Sequence, residues 1–303
     1  MGDRSIWFKG RMVETKDAKV AALSPTAQFG LNVFEGIRAY WNDSLRQLYA
    51  FRLKEHFDRL ARSSKLLGIE CRYGADDMRK NIIDTVRYNE YKEDIAIRMT
   101  VFIDGEGSWT STDPSDMFIA PIRKPRTDTN RVKGLTSCVS TWRRIGDNNL
   151  PPRVKAGANY INGRYAHLEA KRNGYDLPIL LNAEGKVAEG AGSCLFLVCN
   201  GVLTTPTLTS SVLESITRAT LLEIAEKMGI KTAVREIDRT ELYMAEELFL
   251  CGTAAEVTPI VSVDRLIVGN GGTGPITMSL LKRYLAIASN EDSSRPDWLT
   301  ALY

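Results

Sequence analysis

Residues 154–165 read VKAGANYINGRY: Lys155, three very small residues, then Asn159 and Tyr160 at the head of a helical pattern. An exposed lysine needs no such surroundings, whereas missing side chains let a flat molecule approach the backbone. The stretch therefore reads either as a surface cation at a helix start or as an amine that a small molecule must reach. The pattern that follows predicts a helix over 159–173, closed by Gly174.

Outward from this stretch, helices and strands mingle. Downstream, short strands are expected near 177–181, 186–189 and 194–199, with turn signals at NAEG and NG, then an amphipathic helix at 216–228 that stops at Gly229. Upstream, SIWFKGRMV at 5–13 reads as a hairpin with a Lys-Gly turn, and EHFDRLARSSKLL at 55–67 as a helix. Met78, Ile82, Ile83 and Val86 mark a second helix. DIAIRMTVFI at 94–103 alternates, with Ile95, Ile97, Met99, Val101 and Ile103 on one face and Ala96, Arg98, Thr100 and Phe102 on the other. Arg98 thus points towards solvent or a site. Strict βαβ alternation is absent, which predicts an α+β or mixed α/β fold.

IRKPRTDTNR at 122–131 is poor in apolar residues and rich in charge, and reads as a linker between a domain at 1–121 and a larger one at 132–303. The composition is that of an ordinary globular protein: 303 residues, 44% hydrophobic, 25% charged, net charge +3. No basic tract suggests nucleic acid, and apolar runs are strand-sized, so neither nucleic acid nor membrane is expected as partner. The five cysteines are scattered without a C-x-x-C pair, and the N-terminus lacks a secretory apolar stretch, so a reducing, cytoplasmic setting is expected. His56 and His167 are the only histidines, too few for a zinc cluster, and no metal is expected.

GNGGTG at 269–274 fits a dinucleotide fingerprint, follows a strand pattern and precedes a helix. Too little chain remains for the second strand and its acidic residue, so it reads as a glycine turn with Pro275 at the first helical position.

The residues that could carry chemistry are spread along the chain. Glu189 precedes Gly-Ala-Gly at a strand end. Ile216 and Thr217 open a helix, where unpaired amides and the helix dipole form an anion site. Thr253, with Ala254 and Ala255 beside it, offers a hydroxyl and amides. Arg52 and Arg59 flank His56, and either could reach a phosphate. A lysine, an acid, an anion-binding helix start and an arginine are the set that a phosphorylated aldehyde, pyridoxal 5'-phosphate, requires.

In FGLNVFEGIRAY (29–40), FRLKEHFDRLARSSK (51–65), VKAGANY (154–160), AEGAGSCLF (188–196), ITR (216–218) and CGTAAEVTPI (251–260) the chain resembles the branched-chain aminotransferase family of fold-type IV pyridoxal-phosphate enzymes. The resemblance implies a small open α/β sandwich domain and a larger pseudo-barrel domain with the cofactor between them, and a homodimer. It makes Lys155 the covalent anchor of the cofactor and Glu189 the partner of its ring nitrogen. Tyr160 becomes the donor to the ring's phenolic oxygen, and Arg59 with Ile216, Thr217 and Thr253 the phosphate cup. Phe29, Phe34, Arg38, Ala96, Arg98, Thr253, Ala254 and Ala255 are the implied substrate contacts.

The departures concern substrate. The family usually has tyrosine at the positions of Phe29 and Ala96, and an aromatic-containing loop where this chain has RKPR at 123–126. Losing a hydroxyl and a ring predicts a roomier pocket. The resemblance implies a branched-chain or other hydrophobic or bulkier amino donor and a 2-oxo acid such as 2-oxoglutarate as acceptor. The same fold also serves D-amino-acid aminotransferases, whose Arg-x-His pair is incomplete here because Thr100 follows Arg98-Met99, and aminodeoxychorismate lyases. A non-catalytic homologue is the reading from another class, disfavoured by Lys155 and Glu189 being present.

Overall fold

The computed structural model describes residues 4–303. Two compact units emerge: one holds the chain up to Arg126, Val154–Ala158 and Ala286–Tyr303, the other Thr127–Arg153 and Asn159–Leu285.

The first unit is built on an antiparallel sheet of strands β1 (Ser5–Phe8), β2 (Arg11–Glu14), β3 (Asn32–Asn42), β4 (Gln47–Phe51), β5 (Ile95–Ile103), β6 (Ser115–Arg123) and the C-terminal β16 (Leu299–Ala301), in the order β16-β4-β3-β5-β6-β1-β2. The Lys9-Gly10 turn that joins β1 to β2 needs left-handed backbone at both residues. Alternation in β5 works as expected: Ile95, Ile97, Met99, Val101 and Ile103 share a core with Phe57 and Leu60 of helix α2 (Leu53–Leu67) and Met78, Ile82 and Val86 of α3 (Ala75–Tyr88). A fully buried side chain of this kind contributes roughly 1.5–3 kcal/mol. The opposite face has its own small cluster, where Phe102 lies among Phe8, Ile6 and Ala120. A short helix α1 (Pro25–Phe29), capped by Ser24, precedes β3. Strand β6 runs through Arg123, so Ile122 and Arg123 are paired with Ala96 and Ile95.

The second unit carries a nine-stranded mixed sheet of β7 (Leu135–Val139), β8 (Leu177–Leu181), β9 (Val187–Gly190), β10 (Cys194–Cys199), β11 (Val202–Thr205), β12 (Thr232–Val234), β13 (Glu247–Gly252), β14 (Glu256–Val263) and β15 (Leu266–Ile267). The order is β12-β11-β10-β13-β14-β7-β8-β9, with β15 on β14. The sheet curls because β9, at one end of that order, meets the start of β10 through Gly190 N donating to Ser193 O at 2.8 Å. This is the pseudo-barrel of the mixed α/β fold. Helix α4 (Tyr160–Arg172) packs closely on the β9–β10 turn, where a Cβ on Gly163 would come within 2.1 Å of Ala191 O. Helices α5 (Ile216–Lys227), α6 (Glu241–Met244) and α7 (Pro275–Ala288) complete the list. Among the described residues no helix is long and apolar enough to cross a membrane.

Candidate active site

In the first unit, residues 155–157 lie along the start of β3 as a short extra strand. Phe34 N donates to Lys155 O at 3.0 Å, Gly157 N donates to Asn32 O at 3.1 Å, and Val33 bridges Ala156. From the other side, Lys155 N donates to Ser63 Oγ of α2 at 3.1 Å. A Cβ on Gly157 would meet the Asn32 side-chain amide, with Oδ1 at 2.7 Å, so the missing side chain leaves room for that amide. The main chain of Lys155 is thus held by both strand and helix. Its Nζ lies 4.9 Å from the centre of the Phe34 ring.

Sheet register decides which predicted substrate residues meet. Phe34 is opposite Thr100, Gly36 opposite Arg98 and Arg38 opposite Ala96. Directly paired residues share a face, so Phe34, Arg38, Ala96 and Arg98 lie on one side of the sheet. The Arg98 guanidinium stands 4.2 Å over the Phe34 ring and that of Arg38 is 5.0 Å from the Tyr40 ring. Phe29 is not on this face; it ends α1, exposed, just before Gly30, whose Cβ position is 3.6 Å from Ala158. The basic loop is largely committed to structure. Arg126 forks onto Asp94 through Nε to Oδ2 at 2.6 Å and Nη2 to Oδ1 at 2.8 Å, and Arg123 pairs with Glu93.

The other face of β3 holds a buried ionic cluster in which Arg59 and His56 meet Glu35, a residue that sequence reading passed over. Glu35, with no exposed surface, receives Arg59 Nε on Oε1 and Arg59 Nη2 on Oε2, both at 2.7 Å, and His56 Nδ1 on Oε2 at 2.7 Å. Burial works to raise the Glu35 carboxyl, but the charges and hydrogen bonds of Arg59 and His56 outweigh it and bring it down to about 2. Burial, only partly opposed by Glu35, pushes the His56 imidazole below its ordinary value, and Arg59 and Lys155 add to that. A neutral His56 facing an ionised carboxylate donates its Nδ1 proton. Arg52, the other arginine near His56, stacks on Trp298 at 4.2 Å and pairs with Glu55 at 3.2 Å.

In the second unit, Glu189 is 3% exposed and is the last residue but one of β9, before Gly190. Its Oε1 pairs with Arg144 Nη2 at 2.7 Å, and its Oε2 accepts from Leu213 N at 3.3 Å and Cys194 Sγ at 3.5 Å. Arg144 has no local spacing signal in the sequence; only the fold brings its loop to β9. Tyr160 opens α4, with its ring against Gly192, whose Cβ position is 3.5 Å away.

Two helix starts make an instructive contrast. At α7, the glycine-rich stretch ends where Glu247 takes up the first turn: Ile276 N and Thr277 N donate to its carboxylate at 3.0 and 2.7 Å. The amides a dinucleotide would need are occupied, and the glycine turn with Pro275 at the helix start is what the structure contains. At α5, Ser215 Oγ caps Arg218 N at 3.2 Å, while the amides of Ile216 and Thr217, both buried residues, meet no acceptor among the described residues. Unpaired amides at the start of a three-turn helix suit an anion. Thr253, Ala254 and Ala255 form the turn between β13 and β14, in part exposed.

The family model for amino-transferase class IV matches residues 32–263. The chain belongs to the class IV aminotransferases. A probable branched-chain-amino-acid aminotransferase of Aquifex aeolicus is 37% identical, with 98% of this chain and 96% of that protein covered. A branched-chain aminotransferase of Thermoproteus uzoniensis, solved with norvaline, is 41% identical with a TM-score of 0.92 and full coverage of both chains. One of Thermobaculum terrenum in its pyridoxal-phosphate holo form is 40% identical, with a TM-score of 0.93 and 99% of each chain covered. This class IV aminotransferase is a pyridoxal-phosphate-dependent transaminase of fold type IV. Each unit by itself carries groups of the kinds that cofactor takes: the first an amine, Lys155, on a clamped backbone, the second a buried and braced acid, Glu189, and helix-start amides at α5 that suit a phosphate.

Proposed function

We propose that the enzyme moves the amino group of a branched-chain or other hydrophobic amino acid to a 2-oxo acid such as 2-oxoglutarate. The observation that carries this is the Phe34–Arg98 pair: an apolar ring and a cation 4.2 Å apart on one sheet face suit an amino acid with an apolar side chain and a carboxylate. Lys155 would anchor the cofactor and, once displaced by the substrate amine, carry the proton between the substrate α-carbon and the cofactor carbon. Bound pyridoxal phosphate supplies the aldehyde that takes the amino group and the electron sink for the pair left at the α-carbon. Glu189, paired with Arg144, would hold the ring nitrogen protonated, and Tyr160 would donate to the phenolic oxygen. Arg59, Ile216, Thr217 and Thr253 would bind phosphate. Phe29, Phe34, Arg38, Ala96, Arg98, Thr253, Ala254 and Ala255 would meet the substrate.

Division into a domain at 1–121, a linker at 122–131 and a domain at 132–303, and a cytoplasmic homodimer, belong to the same proposal. An exposed apolar stripe on α4, formed by Ile161, Tyr165 and Leu168 with Trp142 stacked on Tyr165 at 4.8 Å, supports self-association. A panel of L- and D-amino donors with 2-oxoglutarate tests the function. Turnover confined to hydrophobic L-amino acids is expected. Turnover of D-amino acids alone, or pyruvate release from aminodeoxychorismate without any acceptor, would overturn it.

A further inference from the structure

We infer that Glu35 is a positioning residue for the phosphate grip: its carboxylate fixes the plane of the Arg59 guanidinium, and His56 braces that carboxylate in turn. The inference rests on the reading of Arg59 as a phosphate ligand.

Glu35 occupies a position that the fold alone would fill differently. It lies on the helix-facing side of β3 between Val33 and Ile37, both fully buried in the apolar core. An aliphatic residue would suit that slot, and a carboxylate there is costly unless every charge on it is paired. Both carboxylate oxygens are used. The Nε and Nη2 edge of Arg59 meets them in two parallel bonds of 2.7 Å, the fork geometry that fixes a guanidinium in orientation as well as in place. His56, one turn before Arg59 on α2, donates to Oε2 at 2.7 Å and prevents the carboxylate from turning.

The cluster is also tied to the lysine. Phe34 N, one residue before Glu35, carries the hydrogen bond from β3 to Lys155 O, and Phe34 presents its ring to Lys155 Nζ. Alternate residues of one strand therefore serve the amine on one face and the arginine on the other. A long arginine side chain left to itself samples many rotamers; one locked by a buried fork meets an anion without that loss.

The test titrates full-length protein, freed of cofactor, with pyridoxal phosphate and with pyridoxal, which lacks the phosphate, and reads the ratio of the two affinities. Arg59→Ala is expected to reduce that ratio about 100-fold, and Glu35→Gln about 10-fold with pyridoxal affinity unchanged. The double variant should be no worse than Arg59→Ala. An undiminished ratio in Glu35→Gln, or equal loss of both affinities, would overturn the inference while leaving the Arg59 reading intact. An undiminished ratio in Arg59→Ala would instead remove the reading on which the inference stands. If Glu35→Gln fails to fold by circular dichroism, Glu35→Asp, which withdraws the carboxylate by one methylene, takes its place: a smaller fall in the ratio is expected, and a wild-type ratio would overturn the inference.

Discussion

Arg144 Nη2 and Glu189 Oε1 are 2.7 Å apart, with both side chains at least nine-tenths buried, so each charge is the other's main compensation. Removing one partner of such a pair leaves a buried charge unpaired, which costs about 3 kcal/mol. Arg144→Ala should accordingly lower the denaturant midpoint of unfolding, with Arg144→Lys recovering part of the loss. Unfolding curves that superimpose on wild type would show that the pair contributes nothing to stability.

The Glu35 cluster makes stability depend on acid. The folded carboxyl is brought from 4.5 down to about 2, so its contribution is fully present above pH 4.5 and is lost as pH falls towards 2. The shift corresponds to about 3 kcal/mol. His56 acts in the same sense at higher pH: its folded value lies below 6.5, so protonation of the unfolded chain withdraws stability as pH falls below 6.5. Unfolding midpoints measured from pH 8 to 3 should fall in both ranges, and Glu35→Gln should flatten the lower one. A Glu35→Gln profile parallel to wild type below pH 4.5 would contradict this account.

Phe34 presents its ring to the Arg98 guanidinium at 4.2 Å and to Lys155 Nζ at 4.9 Å. Such contacts contribute roughly 0.5–2 kcal/mol each, more when shielded from water. Phe34→Leu keeps apolar volume but loses the ring face, and kcat/KM for a hydrophobic amino donor is expected to fall about tenfold, while Phe34→Tyr stays near wild type. Steady-state kinetics on both variants decides between an electrostatic and a purely space-filling role.

Much of the architecture was legible because it rests on local signals. Alternation in 94–103, helical spacing in 55–67 and the glycine stop after 159–173 reappear as β5, α2 and α4. The two charged partners that escaped notice depend on pairing between distant segments. Glu35 sits in FEGIR as an ordinary strand residue until register turns it towards α2, twenty-one positions from His56. Arg144 lies in a loop whose approach to Glu189 no periodicity announces. Arg126 reads in the sequence as part of a charge-rich linker, yet Asp94, just before β5, holds it in a fork. Spacing along one element can be read directly; charge pairing across elements needs the register.

The central claim is that Lys155 is the amine to which the cofactor is joined. Reduction of the cofactor-loaded enzyme with borohydride, digestion and mass mapping of the peptides tests it directly. The phosphopyridoxyl label is predicted on Lys155, within the peptide containing VKAGANY, and absent from Lys155→Ala. Stoichiometric label on any other lysine, or equal labelling of the variant, would contradict the account.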